Sequence, residues 1–253
     1  MTISKLIKYR LAFSTKKTPK FGRGAFNKSD PPLSVTESPF YWWFKFLQLN
    51  EEYQRAVKGE KNTIDRQVVM DFGDVSNIDF KTWWQSRAEL FAEPRNDYEI
   101  KVATSLDDLA PFDRTDVINL VIPLNWTNVN IKRNVNKIID TYVTKSKSRV
   151  DYVLNSEARY KLGRKWSIEG LQNAHRIYVG RQEADAEREI TGKKTIWVDI
   201  AIKKGLPAAK GLKIERSTNA TYEQRRNVTI QCDRLYKQAK QYIANSASHR
   251  FLK

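Results

Sequence analysis

The sequence predicts a mainly α-helical protein with a minor β element, an α+β chain whose bundle-like helical body carries a basic N-terminal arm. Three observations predict it. Aromatic residues recur at helical spacing near residues 40 and 80, Ile131 to Tyr142 keep a clean amphipathic period, and a heptad-like apolar stripe runs from Val228 to Tyr242. Strand signals are few and short. With 253 residues the chain is long enough to bury roughly 70 to 75 per cent of its unfolded surface, so its core needs no disulfide or metal staple. Three spans are expected: an arm over 1–30, an aromatic-rich mixed subdomain over 31–149, and a helical subdomain over 150–253 that ends in a long basic amphipathic helix.

The span Met1 to Asp30 mixes lysine and arginine with Ser, Thr and Gly and shows no sustained period, which predicts an arm that is flexible when free. Pro31 and Pro32 punctuate its end. Ser38 and Pro39 then offer an N-cap and a first-turn proline for a helix running to about Val57. Phe40, Trp43, Phe44 and Leu47 form one stripe on that helix, while Trp42, Phe46, Leu49 and Tyr53 form a second. A helix apolar on two sides is expected to be buried from two sides; the alternative is that part of the aromatic surface docks a partner. A second aromatic helix is predicted after Asn77 or Asp79, with Phe80, Trp83, Trp84, Ala88 and Phe91, ending by Pro94. Between the two lies Asp71-Phe72-Gly73-Asp74, a string like the metal loop of protein kinases. No Gly-rich loop or catalytic loop precedes it, so that reading is rejected.

Short strands are predicted at Tyr98 to Ala103 and Val117 to Ile122, and the polar run Thr144 to Arg149 is the expected hinge. Between them the helix through Ile131, Val135, Ile138, Ile139 and Tyr142 turns Lys132, Arg133 and Lys137 to its other face. Helices are also expected after Ser156, through Tyr160 and Leu162, and after Ser167, through Ile168, Leu171, His175 and Tyr178. Gly192 separates a charged stretch from a short helix opening at Thr195 and stopping at Gly205. Ile200, Ala201 and Gly205 fit the start of a helix-turn-helix, but Pro207 and Gly211 fall where a recognition helix should form. The last helix is expected to open on a capping box, Thr221 with Gln224, and to bury Val228, Cys232, Leu235, Ala239 and Tyr242. At 100° per residue, Arg226, Arg234, Lys237 and Lys240 share an arc of about 120° on its opposite side.

The formal net charge of +16 is polarised. Residues 1–29 hold eight basic and no acidic side chains, and residues 203–253 hold twelve basic and three acidic, whereas the span between is near neutral and contains all seven tryptophans. Such a distribution predicts a polyanionic partner met by the two ends. Candidate binding residues are Lys16, Lys17, Lys20 and Arg23 on the arm and Arg226, Arg234, Lys237 and Lys240 on the last helix.

No apolar run approaches the roughly 20 residues of a membrane span, and Met1 to Arg10 lacks the apolar centre of a secretory signal. The single cysteine, Cys232, and two histidines, His175 and His249, leave no multi-cysteine metal site and suit a reducing compartment. No metal, cofactor or catalytic residue is expected. His175 sits on an apolar face as a core or rim histidine, and Cys232 lies on a packing stripe, where a thiol is inert.

Phe40 to Asn50 (FYWWFKFLQLN), Asp71 to Phe91 (DFGDVSNIDFKTWWQSRAELF) and Tyr236 to Ala247 (YKQAKQYIANSA) resemble a family of uncharacterised bacterial proteins that occur in prophages and other mobile elements. The resemblance covers most of the chain and implies a mobile-element context and the bacterial host cytoplasm; it brings no catalytic residues. Two roles suit it. One is a non-enzymatic protein that binds nucleic acid through its basic ends. The alternative is a structural or assembly factor that self-associates as a homo-oligomer and scaffolds an acidic protein lattice such as a phage capsid. An enzyme is disfavoured because no motif groups the carboxylates. A basic amphipathic helix through Ile3, Leu6, Ile7 and Leu11, suited to a membrane surface or to targeting, is a further alternative for the arm.

Overall fold

The computed structural model describes residues 13–23, 26–93, 102–103, 105–109, 118–142, 156–163, 166–214 and 219–252. It is mainly α-helical, as expected, with one two-stranded parallel sheet. In chain order the α-helices among the described residues are α1 (Leu33–Thr36), α2 (Pro39–Gln48), α3 (Glu51–Val57), α4 (Arg66–Phe72), α5 (Phe80–Arg87), α6 (Asn128–Tyr142), α7 (Ile168–Thr191), α8 (Trp197–Lys203) and α9 (Asn219–Ser246). The strands are β1 (Lys161–Leu162) and β2 (Arg250–Phe251), with Lys161 opposite Arg250 and Leu162 opposite Phe251. None of the helices is long and apolar enough to cross a membrane, among the described residues.

Two compact units make up the chain: 1–93 together with 152–253, and 94–151. This partition differs from the boundary expected near residue 150. The reason lies in the core, where aromatic residues of α2, α4 and α5 pack with Tyr160, Leu162, Leu171, Ala239 and Phe251. Neither half of the first unit could bury its apolar face without the other.

Proline at the first helical position starts α2, and Ser38 precedes it with extended backbone, yet the Ser38 hydroxyl makes no cap hydrogen bond. The single helix expected to reach Val57 is two. Leu49 ends α2, and the Asn50 side chain accepts from the Tyr53 N–H at 2.9 Å, which caps α3 instead. The aromatic residues of both stripes are buried, with Trp43, Phe46 and Leu47 fully so, and Leu49 is half-buried. The paired tryptophans Trp42–Trp43 and Trp83–Trp84 are therefore core, and removing the Trp43 ring would cost about 3 to 5 kcal/mol.

The indole and phenol donors of this core share one destination. Trp42 donates to Thr36 O at 2.8 Å, Trp83 to Phe72 O at 3.0 Å, and Trp43 to Ser246 O at 2.7 Å. Those are the last residues of α1, α4 and α9. Tyr53 OH donates to Gly73 O, just past α4, at 2.7 Å. Helix C-termini leave carbonyls without intrahelical partners, and here buried aromatic side chains satisfy them.

Several expectations are corrected. The arm is not free from Phe13 onward: Phe13 bridges Ala92 and packs on Phe40 and Trp84, and Phe21 packs on Phe80. Residues 1–12, with Ile3, Leu6, Ile7 and Leu11, lie outside the described residues. Residues 156–162 are not helical, because their backbone donors are taken elsewhere: Tyr160 N–H by Leu90 O and Lys161 N–H by His249 O. Residues 118–122 form no strand, and no described segment pairs with them; residues 98–101 and 117 and the hinge at 144–149 lie outside the described residues. The charged stretch before Gly192 continues the helix that opens at Ile168: it is the second half of α7, which runs to Thr191 and ends on Gly192, a left-handed C-cap at φ 71°. Thr221 does not open the last helix as the expected capping box requires. Helix α9 opens at Asn219, so Thr221 lies within its first turn, and the Gln224 amide donates to Ala208 O and Lys210 O.

Candidate polyanion-binding surface

Helix α9 is held along one side and open along the other. Val228, Cys232 and Ala239 are buried, and the helix packs against α7, α8 and α2. At Gly180 α7 meets α8 so closely that a Cβ would lie 2.7 Å from Ile200 Cγ2. Ion pairs then tie the surrounding helices: Lys204 to Glu183 at 2.6 Å, Lys203 to Glu187 at 3.5 Å, and Arg225 to Asp199 at 3.9 Å. The Arg181 guanidinium lies 3.9 Å over the Trp197 ring. The support beneath α9 is therefore rigid packing, and its cations on that side are spent on internal partners.

Arg226, Arg234, Lys237 and Lys240 are all exposed, as the helical period requires. They are not equivalent. Lys237 Nζ pairs with Asp233 at 2.7 Å, one turn back, and Lys240 Nζ sits 4.7 Å over the Tyr236 ring. Arg226 and Arg234 make no ion pair among the described residues. Two further exposed cations lie beside this helix, which the helical arc alone could not reveal. Gln224 and Arg225 hold the loop after α8 by its carbonyls at Ala208, Lys210 and Lys213, which sets the exposed Lys210 and Lys213 beside the first turns of α9. Their sequence signal was the basic excess of residues 203–253; Asp233 was legible as an i, i+4 partner of Lys237.

Lys16, Lys17, Lys20 and Arg23 are likewise exposed, but on an anchored track. Ser14 and Thr15 before them and Pro19 between them are buried, the Lys20 N–H donates to Ser34 O at 3.3 Å, and Ser34 Oγ donates to Lys20 O at 2.8 Å. The arm contacts α1, α2 and α5, whereas α9 contacts α7, α8 and α2. The two predicted cation sets thus share only α2 among these supports.

Burial decides the remaining chemistry. It pushes the Cys232 thiol up to about 11, so the sulfur stays protonated where a nucleophile would have to ionise. His175 packs edge-on against Trp42 and Phe46, and burial, reinforced by Lys45, Lys204 and Arg176, lowers it to about 3. Asp71 accepts from Tyr160 OH at 2.6 Å, from Arg159 Nε at 3.1 Å and from Gln67 Nε2 at 3.0 Å, and so joins α4 to the segment before β1. Among the described residues no three His, Cys, Asp or Glu side chains gather as a metal site. Comparisons with protein families, with curated proteins and with solved structures find no match to this chain.

Proposed function

We propose that the chain is a non-enzymatic protein of a bacterial phage or mobile element that binds nucleic acid through its basic surfaces, acting in the host cytoplasm. One observation carries the reading: α9 buries one side in two cores and holds Arg226, Arg234, Lys237 and Lys240 exposed on the other. Exposed cations on a packed helix meet phosphates without the backbone having first to order, and Arg226 and Arg234, which make no ion pair among the described residues, keep their donors for phosphate oxygens. Lys210 and Lys213 add exposed cations beside the first turns of α9, and Lys16, Lys17, Lys20 and Arg23 supply a second surface. The mobile-element setting rests on the resemblance of the three quoted segments.

Binding of duplex DNA measured against salt tests the proposal. If about 6 to 10 phosphates are neutralised, affinity falls by roughly 10³ to 10⁵ between 50 and 200 mM salt. Replacing Arg226, Arg234, Lys237 and Lys240 by Gln shrinks the logarithmic salt slope by up to about 4 and leaves the melting temperature nearly unchanged, because glutamine is a good helix former. Absence of DNA binding, or binding that ignores salt, overturns it. Salt-sensitive capture of an acidic coat protein by a chain that binds no DNA would put the phage-capsid reading in its place.

A further inference from the structure

The unit over 94–151 has a feature that nucleic-acid binding does not use. None of its described residues is buried. Val121 and Leu124 are 97% and 92% exposed, and Ile118, Leu120, Ile122, Trp126 and Val129 stand open beside them. Helix α6 continues the pattern, with Ile131, Val135 and Ile138 only half-buried and Ile139 exposed. Large apolar side chains this exposed along one segment are more than a monomer usually leaves together, and such patches mark contact surfaces.

We propose that residues 118–129, continued by the apolar stripe of α6, form the contact between two copies of this chain. Charge selects that occupant. From Val117 to Ile131 the sequence holds no charged residue, although the chain as a whole carries +16. Two copies approaching through their basic ends repel, whereas they meet at this strip without that cost. Its polar groups are also self-complementary. Asn125 and Asn128 are exposed amides, each both donor and acceptor, so each can pair with its own equivalent across a two-fold axis, which a lysine or a glutamate cannot do. A strip with no charge offers nothing to an acidic lattice or to phosphate.

Sedimentation velocity on the full chain, treated with nuclease and run in 1 M salt, separates this contact from bridging by nucleic acid, because the screening length there is about 3 Å. The wild-type chain is expected to sediment as two copies at concentrations up to about 100 μM. Val121→Asp combined with Leu124→Asp is expected to weaken association at least about tenfold with an unchanged circular dichroism spectrum, since both side chains are almost wholly exposed in one copy. Val121→Ser with Leu124→Ser, which removes apolar surface without adding charge, gives the same direction. A wild-type chain that stays a monomer across that range overturns the proposal, including one whose strip instead retains a different protein or a lipid vesicle. So does a double variant that associates as tightly as wild type.

Discussion

Trp42, Trp43, Trp83 and Tyr53 each pack a ring and satisfy a helix-end carbonyl with the same side chain. An aromatic core of this kind fixes where helices stop as well as how they pack, because a displaced ring loses contacts and orphans a buried acceptor together. His175 stands among these rings without a charge-stabilising partner. Its pKa is lowered to about 3 in the folded chain against an ordinary 6.5, so between those values the unfolded chain binds the extra proton. The stability due to the neutral imidazole is full above about pH 6.5 and is lost as pH falls toward 3. His175→Gln is expected to flatten the fall of melting temperature between pH 7 and 4 relative to wild type, as thermal denaturation at stepped pH will show. Parallel curves for the two proteins would reject the assignment.

Asn50 shows how a side chain divides one predicted helix into two. Its carbonyl oxygen caps α3, and its Nδ2 donates to Ile243 O in the last turn of α9 at 2.7 Å. One residue thus starts one helix and holds the end of another 193 positions away. Asn50→Ala is expected to destabilise the fold by about 1 to 3 kcal/mol, read by chemical denaturation, since both a cap and a buried acceptor lose their partner. Asn50→Asp keeps the cap acceptor but sets a buried carboxylate oxygen against Ile243 O, so it is expected to be no more stable than Asn50→Ala. An alanine variant as stable as wild type would show that water replaces both bonds. Helix α9 has the opposite organisation, with packing and charge on separate sides, so its basic face can change without loss of its core.

The first unit closes by bringing the N-terminal aromatic helices onto α7, α9 and the β1–β2 pair. Trp43 stacks on Phe251 with centroids 5.0 Å apart, and Tyr242 meets Phe46 at 5.3 Å, so the chain's two ends share one core. The arm belongs to it as well. Removing residues 1–29 takes away Phe13 and Phe21, which cover Phe40, Trp84 and Phe80. That deletion is expected to lower the melting temperature as well as the salt slope of DNA binding, whereas Lys16, Lys17, Lys20 and Arg23 replaced together by Gln should lower the slope alone. A deletion that leaves the melting temperature unchanged would show that the arm's packing contributes nothing to stability.

Period and composition determined the helical class, the burial of both aromatic stripes, the amphipathic helix at 128–142, and the outward face of α9. Each follows from geometry repeated within one segment, which the chain carries wherever it is placed. Tertiary structure alone decided the break at Asn50, the strand at 161–162, the anchoring of the arm, the opening of α9 at Asn219, and the arrival of Lys210 and Lys213 beside it. Those outcomes depend on which distant backbone group a donor meets: Ile243 O for Asn50, His249 O for Lys161, Ala208 O for Gln224. Local pattern cannot encode such a choice, because its energy comes from a partner that reaches the site only when the chain has closed.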